Sequence, residues 1–255
     1  MNYIISASTD IGIKKSTNQD SLTVKILDTQ QGKMVFALLC DGMGGLAKGE
    51  VASSELVEAF QTWVVEELPE ICDKPIEDSV IRQQWSRIAE TQNNRIINYG
   101  NHCGIRLGTT VVAMLITEER YYIMNVGDSR AYELAEGIRQ LTKDQTLVER
   151  EIALGNLTPE EAESDPRRSV LLQCIGASED VYPDFFFGRT RKNAVYMLCS
   201  DGFRHEVSSY EIFEMLEPNR MLDEKTMRQN VEYLIGLNKS RMEQDNISVI
   251  TIRTY

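Results

Sequence analysis

Four aspartates stand where apolar runs of the sequence end or begin. Asp41 follows MVFALLC, Asp128 follows YYIMNVG and Asp201 follows VYMLCS, while Asp245 and an asparagine precede the run ISVITI. Asp-Gly and Asp-Asn pairs are common turn formers, so a turn explains each of these aspartates taken alone. Taken together, they place four carboxylates at the ends of four predicted strands.

Strands of a sheet end on a common rim, where such carboxylates can converge on one point. Like charges need a reason to converge, and Mg²⁺ or Mn²⁺ supplies one because these hard ions prefer carboxylate, carbonyl and water oxygens. Gly42, Gly44 and Gly45 would let the backbone approach an ion closely and offer a carbonyl ligand. Two histidines and five cysteines without a CxxC pair argue against zinc or copper. The pattern therefore indicates a carboxylate metal site.

The composition narrows the class of protein. The net charge of −12 opposes binding to nucleic acid or to an anionic membrane. The apolar runs are far shorter than the roughly 20 residues of a membrane helix, and the N-terminal segment lacks the features of a secretory signal. An odd number of cysteines without metal spacing indicates reduced, structural thiols. We expect a cytoplasmic protein.

Short β-rich runs alternate with amphipathic helical patterns, and no linker or repeat interrupts them, so we expect one domain over residues 1–255. The predicted strands are Ile4–Ser8, Leu22–Leu27, Met34–Cys40, Thr110–Ile116, Tyr121–Val126, Arg130–Leu134, Val195–Cys199 and Ile247–Ile252. The predicted helices are Val51–Leu68, Asp78–Tyr99, Ser208–Leu216 and Lys225–Met242. Residues 144–176 interrupt the strand series as a flap, which fits a plain surface insertion and a mobile lid equally well.

In these motifs the chain resembles the metal-dependent protein phosphatase 2C (PPM) family in its compact bacterial form. The resemblance spans nearly the whole chain. Its ordered pieces include STDIGIKKSTNQDS, CDGMGGLAKGEVAS, NVGDSRAY, CSDGF and QDNISVI. It implies an α+β fold, a four-layer α-β-β-α sandwich of two antiparallel sheets flanked by helices.

The resemblance also implies roles for single residues around two Mg²⁺ or Mn²⁺ ions. Asp41 would bridge both ions, the Gly42 carbonyl would bind the first, and Asp201 and Asp245 would bind the second. Asp128 matches a position that shares a weaker third ion with Asp201 in bacterial relatives. Asp20 would orient a metal-bound water. The implied reaction is direct attack of a metal-bridging hydroxide on phosphorus, without a covalent phosphoenzyme.

The chain departs from the family pattern at several positions. Lys15 stands where a phosphate-binding arginine is usual, so weaker or less oriented phosphate binding is expected, because an ammonium lacks the two-pronged grip of a guanidinium. Gln19 replaces a usual glutamate near the second ion. Gln145 and Asp165 stand in the flap where histidines are expected, while Arg168 matches a basic flap position. His102 and His205 are expected to be structural or exposed.

Two functions remain open from the sequence. The first is a protein serine/threonine phosphatase whose partners are phosphoserine and phosphothreonine proteins, those of a Ser/Thr kinase in the same cell, or one dedicated regulator. The second is a non-catalytic, phosphoprotein-binding or regulatory relative with the same fold, for which Lys15 and Gln19 are the best evidence. In either case we expect a monomer with no nucleic-acid or membrane partner.

Overall fold

The structure is a computed structural model that describes residues 1–43 and 48–255. Its strands are β1 (Tyr3–Asp10), β2 (Ser21–Thr29), β3 (Gly32–Cys40), β4 (Val111–Ile116), β5 (Arg120–Val126), β6 (Arg130–Leu134), β7 (Ile138–Gln140), β8 (Asp184–Arg189), β9 (Val195–Cys199) and β10 (Ile247–Thr254). Its α-helices are α1 (Gly49–Glu66), α2 (Leu68–Ile71), α3 (Asp78–Cys103), α4 (Leu147–Ala153), α5 (Pro159–Ser164), α6 (Ser209–Leu216) and α7 (Glu224–Ser240).

The strands form two five-stranded sheets in which every neighbouring pair is antiparallel. One sheet has the order β1-β10-β9-β6-β7, and the other has the order β2-β3-β4-β5-β8. The first strand lies beside the last, with Tyr3 paired to Thr254. Each sheet therefore combines segments that are far apart in the sequence.

Strand β3 shows how the layers are held together, because it is buried on both faces. Alternate side chains of a strand point to opposite faces of its sheet. Phe36 and Leu38 pack in a cluster with α1 and α3, whereas Val35 and Leu39 pack in a cluster shared with the other sheet. A strand that is buried on both faces has a continuous apolar sequence, and MVFALLC in β3 is such a sequence.

Helices α6 and α7 cover the outer face of the first sheet. Ile212 of α6 and Val231 of α7 share a buried cluster with Met197 of β9 and Val249 of β10. The order from one side to the other is α1 and α3, the second sheet, the first sheet, and then α6 and α7. This arrangement confirms the four-layer sandwich predicted from the sequence.

Outside the flap, three strands or α-helices were missed by the sequence patterns, and all are short or peripheral. Strand β7 has three residues, helix α2 has four, and β8 is a partly exposed strand at a sheet edge. The predicted flap lies between β7 and β8. Its base is closed by backbone bonds from Leu147 to Val170 and from Leu172 to Gln145, both 2.8 Å long. In the part of the chain that the structure describes, no helix combines the length and the apolarity needed to cross a membrane.

The two tryptophans lie where α1 and α3 pack on the second sheet, so substituting them tests that packing. Trp63 and Trp85 are both almost fully buried, with ring centroids 5.5 Å apart. The Trp63 indole N–H donates to Gln84 Oε1 at 2.8 Å, whereas the Trp85 indole N–H is buried without a partner. We expect Trp63→Phe to lower the free energy of unfolding by about 1 kcal/mol more than Trp85→Phe, because only the first substitution removes a hydrogen bond. Urea unfolding of both variants measures this difference, and equal losses would contradict it.

Candidate metal centre

The register of the strands brings the predicted aspartates to one end of the sandwich. In the second sheet Ser21 of β2 pairs with Cys40 of β3. Asp20 precedes Ser21 and Asp41 follows Cys40, so the two carboxyl groups lie at the same end of adjacent strands. This neighbourhood follows from antiparallel pairing, although the two segments look unrelated in the sequence.

The first sheet brings three more aspartates to that end. Asp201 begins a 3₁₀ turn soon after β9, and Asp245 lies just before β10, the antiparallel neighbour of β9. Asp128 lies just before β6, whose first residue, Arg130, pairs with Cys199 at the end of β9. All the carboxylates predicted to bind metal are therefore at one edge of the two sheets.

Electrostatics shows that these carboxylates act on one another. Burial raises the pKa of Asp41 well above its usual value, and the negative charges of Asp20, Asp201, Asp128 and Asp245 raise it further. Asp41 thus lies close enough to each of the other four aspartates for their negative charges to act on it. Such mutual repulsion is relieved either by protonation of the acids or by a cation beside them.

Asp20 and Asp128 are also buried. Burial raises the pKa of Asp20 to about 7, and the negative charges of Asp201 and Asp245 add to the rise. Burial and the charge of Asp201 raise the pKa of Asp128 to about 7, although Arg204 lowers it. Two acids are therefore held where their ionised forms are unfavourable without a cation.

The donor set fits a hard divalent cation. It consists of carboxylate and carbonyl oxygens, and both carboxylate oxygens of Asp20 are buried without a hydrogen-bond partner. As they stand, no three His, Cys, Asp or Glu side chains within residues 1–43 and 48–255 are arranged to hold an ion.

Backbone contacts fix the loop that carries Asp41. The Asp41 N–H donates to Thr110 Oγ1 at 3.1 Å, and its carbonyl accepts hydrogen bonds from Thr109 Oγ1 at 2.9 Å and the Thr110 N–H at 2.8 Å. Gly42 is buried, and a Cβ at this position would lie 2.4 Å from the Gln19 carbonyl oxygen. Only glycine allows that approach. The predicted roles of Gly44 and Gly45 lie outside the described residues.

Asn246 fixes the loop between β1 and β2, which carries Lys15 and Asp20. Its Oδ1 accepts from the Gln19 N–H at 2.9 Å, and its Nδ2 donates to the carbonyls of Ile11 and Thr17. The sequence motif marked Asn246 only as a turn former beside Asp245. Its three long-range bonds show that it also holds the N-terminal loop against the start of β10.

Lys15 lies at the metal-ligand candidate Asp245. Its Nζ is 2.8 Å from Asp245 Oδ1. Burial lowers the pKa of Lys15, but the contact with Asp245 and the charges of Asp41 and Asp201 outweigh burial, so the pKa is raised. The ammonium group therefore faces the same carboxylates that were predicted to hold the ions.

His102 is exposed and His205 makes structural contacts, which agrees with the expectation for both residues. His205 Nε2 lies 3.5 Å from Asp201 Oδ2, and its Nδ1 lies 3.3 Å from the buried Glu243. No sequence pattern predicts the contact with Glu243, because Glu243 is distant in sequence and reaches the ring only through the fold. Glu243 also accepts the backbone N–H groups of Gln244 and Asp245, so it braces the loop before β10.

Two further departures from the family pattern have structural contacts. Gln19 Nε2 donates to Glu50 Oε2 at 3.2 Å, so a carboxylate that the sequence reasoning missed lies beside the replaced position. Gln145 Oε1 accepts from the Gly127 N–H at 2.9 Å, and its Nε2 donates to Asp184 at 2.8 Å. Gln145 thus ties the base of the flap to the turn that carries Asp128.

In the flap itself, Asp165 pairs with Arg167, and Arg168 donates to the Glu163 carbonyl.

Removal of one central charge should stabilise the protein when chelator is present. We expect Asp41→Asn to raise the free energy of unfolding in EDTA by about 1–3 kcal/mol, since it removes a buried charge that four other carboxylates repel. Thermal or urea unfolding measures the effect. Asp28→Asn, on the exposed part of β2, serves as the control and should change stability by less than about 0.5 kcal/mol. A loss of stability in Asp41→Asn would contradict the repulsion.

The chain is similar to known proteins over nearly its whole length. The family model described as protein phosphatase 2C matches residues 13–235. A putative protein phosphatase 2C-type of Streptococcus pyogenes is 32% identical over 251 residues, which cover 97% of this chain and 96% of that protein.

Two solved structures extend the similarity to the fold. The S. agalactiae serine/threonine phosphatase superposes with a TM-score of 0.85 at 30% identity and covers all of both chains. The catalytic domain of the phosphatase PstP in complex with two manganese ions superposes with a TM-score of 0.76 at 26% identity, covering 99% of each chain. This chain belongs to the protein phosphatase 2C family.

Proposed function

We propose that this protein is a metal-dependent phosphatase that removes phosphate from phosphoserine and phosphothreonine side chains of proteins. The observation that carries this proposal is that five aspartates converge at one edge of the sandwich: Asp20, Asp41, Asp128, Asp201 and Asp245. The pKa values of Asp20, Asp41 and Asp128 are raised by burial and by the charges of neighbouring aspartates. Family membership supports the same reaction and the same dependence on metal.

The proposed centre takes two Mn²⁺ or Mg²⁺ ions, with a weaker third site at Asp128 and Asp201. Asp41 and the Gly42 carbonyl would hold the first ion, and Asp41, Asp201 and Asp245 would hold the second. When bound, such ions activate water for in-line attack on phosphorus and neutralise the charge of the phosphate. The two-manganese complex of PstP supports the number and the kind of ion.

Other side chains position the reactants. Both carboxylate oxygens of Asp20 are buried without a hydrogen-bond partner, so they would be available to accept hydrogen bonds from a metal-bound water. Lys15 is a partly exposed cation beside Asp245 and would bind a phosphate oxygen of the substrate. No histidine or cysteine acts as a nucleophile in this proposal. All five cysteines have free thiols, and four of them are buried.

We further propose that residues 1–255 work as one catalytic domain, with the flap at about 144–176 beside the site. Gln145 joins the base of the flap to the turn before Asp128, which supports a flap that is fixed at its base. The free thiols fit a reducing compartment such as the cytoplasm. The substrates would be proteins phosphorylated by a Ser/Thr kinase of the same cell.

The non-catalytic alternative rests on Lys15 and Gln19. The geometry weakens it, because Lys15 still faces the carboxylates and Gln19 lies beside another carboxylate, that of Glu50. A binding module without metal has no need to gather like charges, since each unpaired buried carboxylate is costly. We therefore favour turnover.

Hydrolysis of a phosphothreonine peptide with Mn²⁺ tests the proposal. The parent chain should release phosphate, EDTA should abolish the release, and Asp41→Asn should lower kcat/KM by at least about 100-fold, because it removes the ligand proposed to bridge both ions. Asp28→Asn should match the parent. Equal rates for the parent and Asp41→Asn would refute catalysis at this centre. No release by the parent would favour the binding module.

A further inference from the structure

Lys15 and Asp245 form an ion pair inside the proposed metal centre. The distance from Lys15 Nζ to Asp245 Oδ1 is 2.8 Å, and the same Oδ1 accepts the Asn246 N–H at 2.8 Å. One of the two oxygens that Asp245 offers to an ion is thus already engaged on two sides. An ammonium at this contact also places a positive charge next to any ion that Asp245 binds.

The position of Lys15 is set by the fold of its loop. Asn246 bonds to the backbone on both sides of Lys15, at Ile11, Thr17 and Gln19. Gly12 has φ +78°, and a Cβ there would lie 2.2 Å from the Asp245 carbonyl oxygen, so the loop backbone lies directly on the Asp245 segment. The ion pair therefore joins two segments that are already held together.

The neighbouring lysine has a different environment. Lys14 Nζ donates to Gln244 Oε1 at 2.7 Å, and its side chain is exposed. It carries the same charge on the same loop but makes no ion pair with Asp245. The charges of Asp41 and Asp201 also act on Lys15, so Lys15 faces three of the carboxylates assigned to the ions.

We propose that Lys15 is a tethered cation that competes with the divalent ion for Asp245. This inference rests on the proposed metal centre. The ion must displace the ammonium from Oδ1 or bind beside it, and both routes weaken its binding because like charges repel. Once displaced, the ammonium stays on its loop at the rim of the site, where a substrate phosphate would meet it.

A purely supporting lysine predicts the opposite result. If Lys15 only held the Asp245 side chain in place, its removal would weaken ion binding. If it competes, its removal strengthens ion binding. The exposed fractions of the two side chains, 27% for Lys15 and 39% for Asp245, mean that solvent screens the repulsion. We therefore expect a change of about tenfold rather than several orders of magnitude.

Calorimetric titration of the full chain with Mn²⁺ tests the competition without any substrate. Chelator-treated parent, Lys15→Met and Lys14→Met are compared at one ionic strength. Lys15→Met should bind one of the two ions, the one assigned to Asp245, about tenfold more tightly than the parent. Lys14→Met, which makes the same change in net charge, should stay within about threefold. The rise in melting temperature caused by Mn²⁺ should likewise be larger in Lys15→Met than in Lys14→Met.

Three outcomes would contradict the inference. Unchanged or weaker Mn²⁺ binding by Lys15→Met would show that Lys15 supports Asp245 or does not affect it. An equal gain in both variants would show a general effect of net charge. Absence of Mn²⁺ binding by the parent would refute the metal centre as well, which separates that failure from failure of the inference alone. Lys15→Gln, which keeps a polar chain, repeats the comparison if Lys15→Met does not fold.

Discussion

Repulsion among buried carboxylates is the constraint on which the rest of this structure depends. Asp20, Asp41 and Asp128 have raised pKa values because burial and the neighbouring negative charges both oppose ionisation. A fold gains nothing in stability from such an arrangement. The sandwich holds it in place with two large apolar clusters under the helices and a third between the sheets. The stability that these apolar layers provide offsets the repulsion among the aspartates at one edge of the sandwich. Such a trade of stability for a functional site is common.

The loops around the site are fixed mainly through the backbone. Thr109 and Thr110 bind the Asp41 backbone, Asn246 binds the loop between β1 and β2, and Glu243 accepts the N–H groups before β10. These contacts hold the attachment points of the carboxylate side chains in place. Supporting groups of this kind set the geometry of metal ligands in proteins.

Much of the fold, and the group of aspartates that lies at one end of the sandwich, followed from the sequence, because both rest on strong local signals. The run before Asp41 is apolar without alternation since β3 is buried on both faces, and the helix patterns of α1 and α3 are long. Strands β7 and β8 were missed because one is too short for a period and the other is a partly exposed edge strand. The contacts of His205 with Glu243 and of Gln19 with Glu50 depend on long-range packing, which no local spacing reveals.

The central claim is that divalent ions hold these carboxylates together, and X-ray anomalous scattering at the manganese edge tests it most directly. Crystals grown with Mn²⁺ should show two anomalous peaks about 3.5–4 Å apart. Asp41 should lie between them, and Asp201 and Asp245 should bind one of them. Crystals with no anomalous peak at this edge of the sandwich, or with peaks only at other carboxylates, would contradict the account.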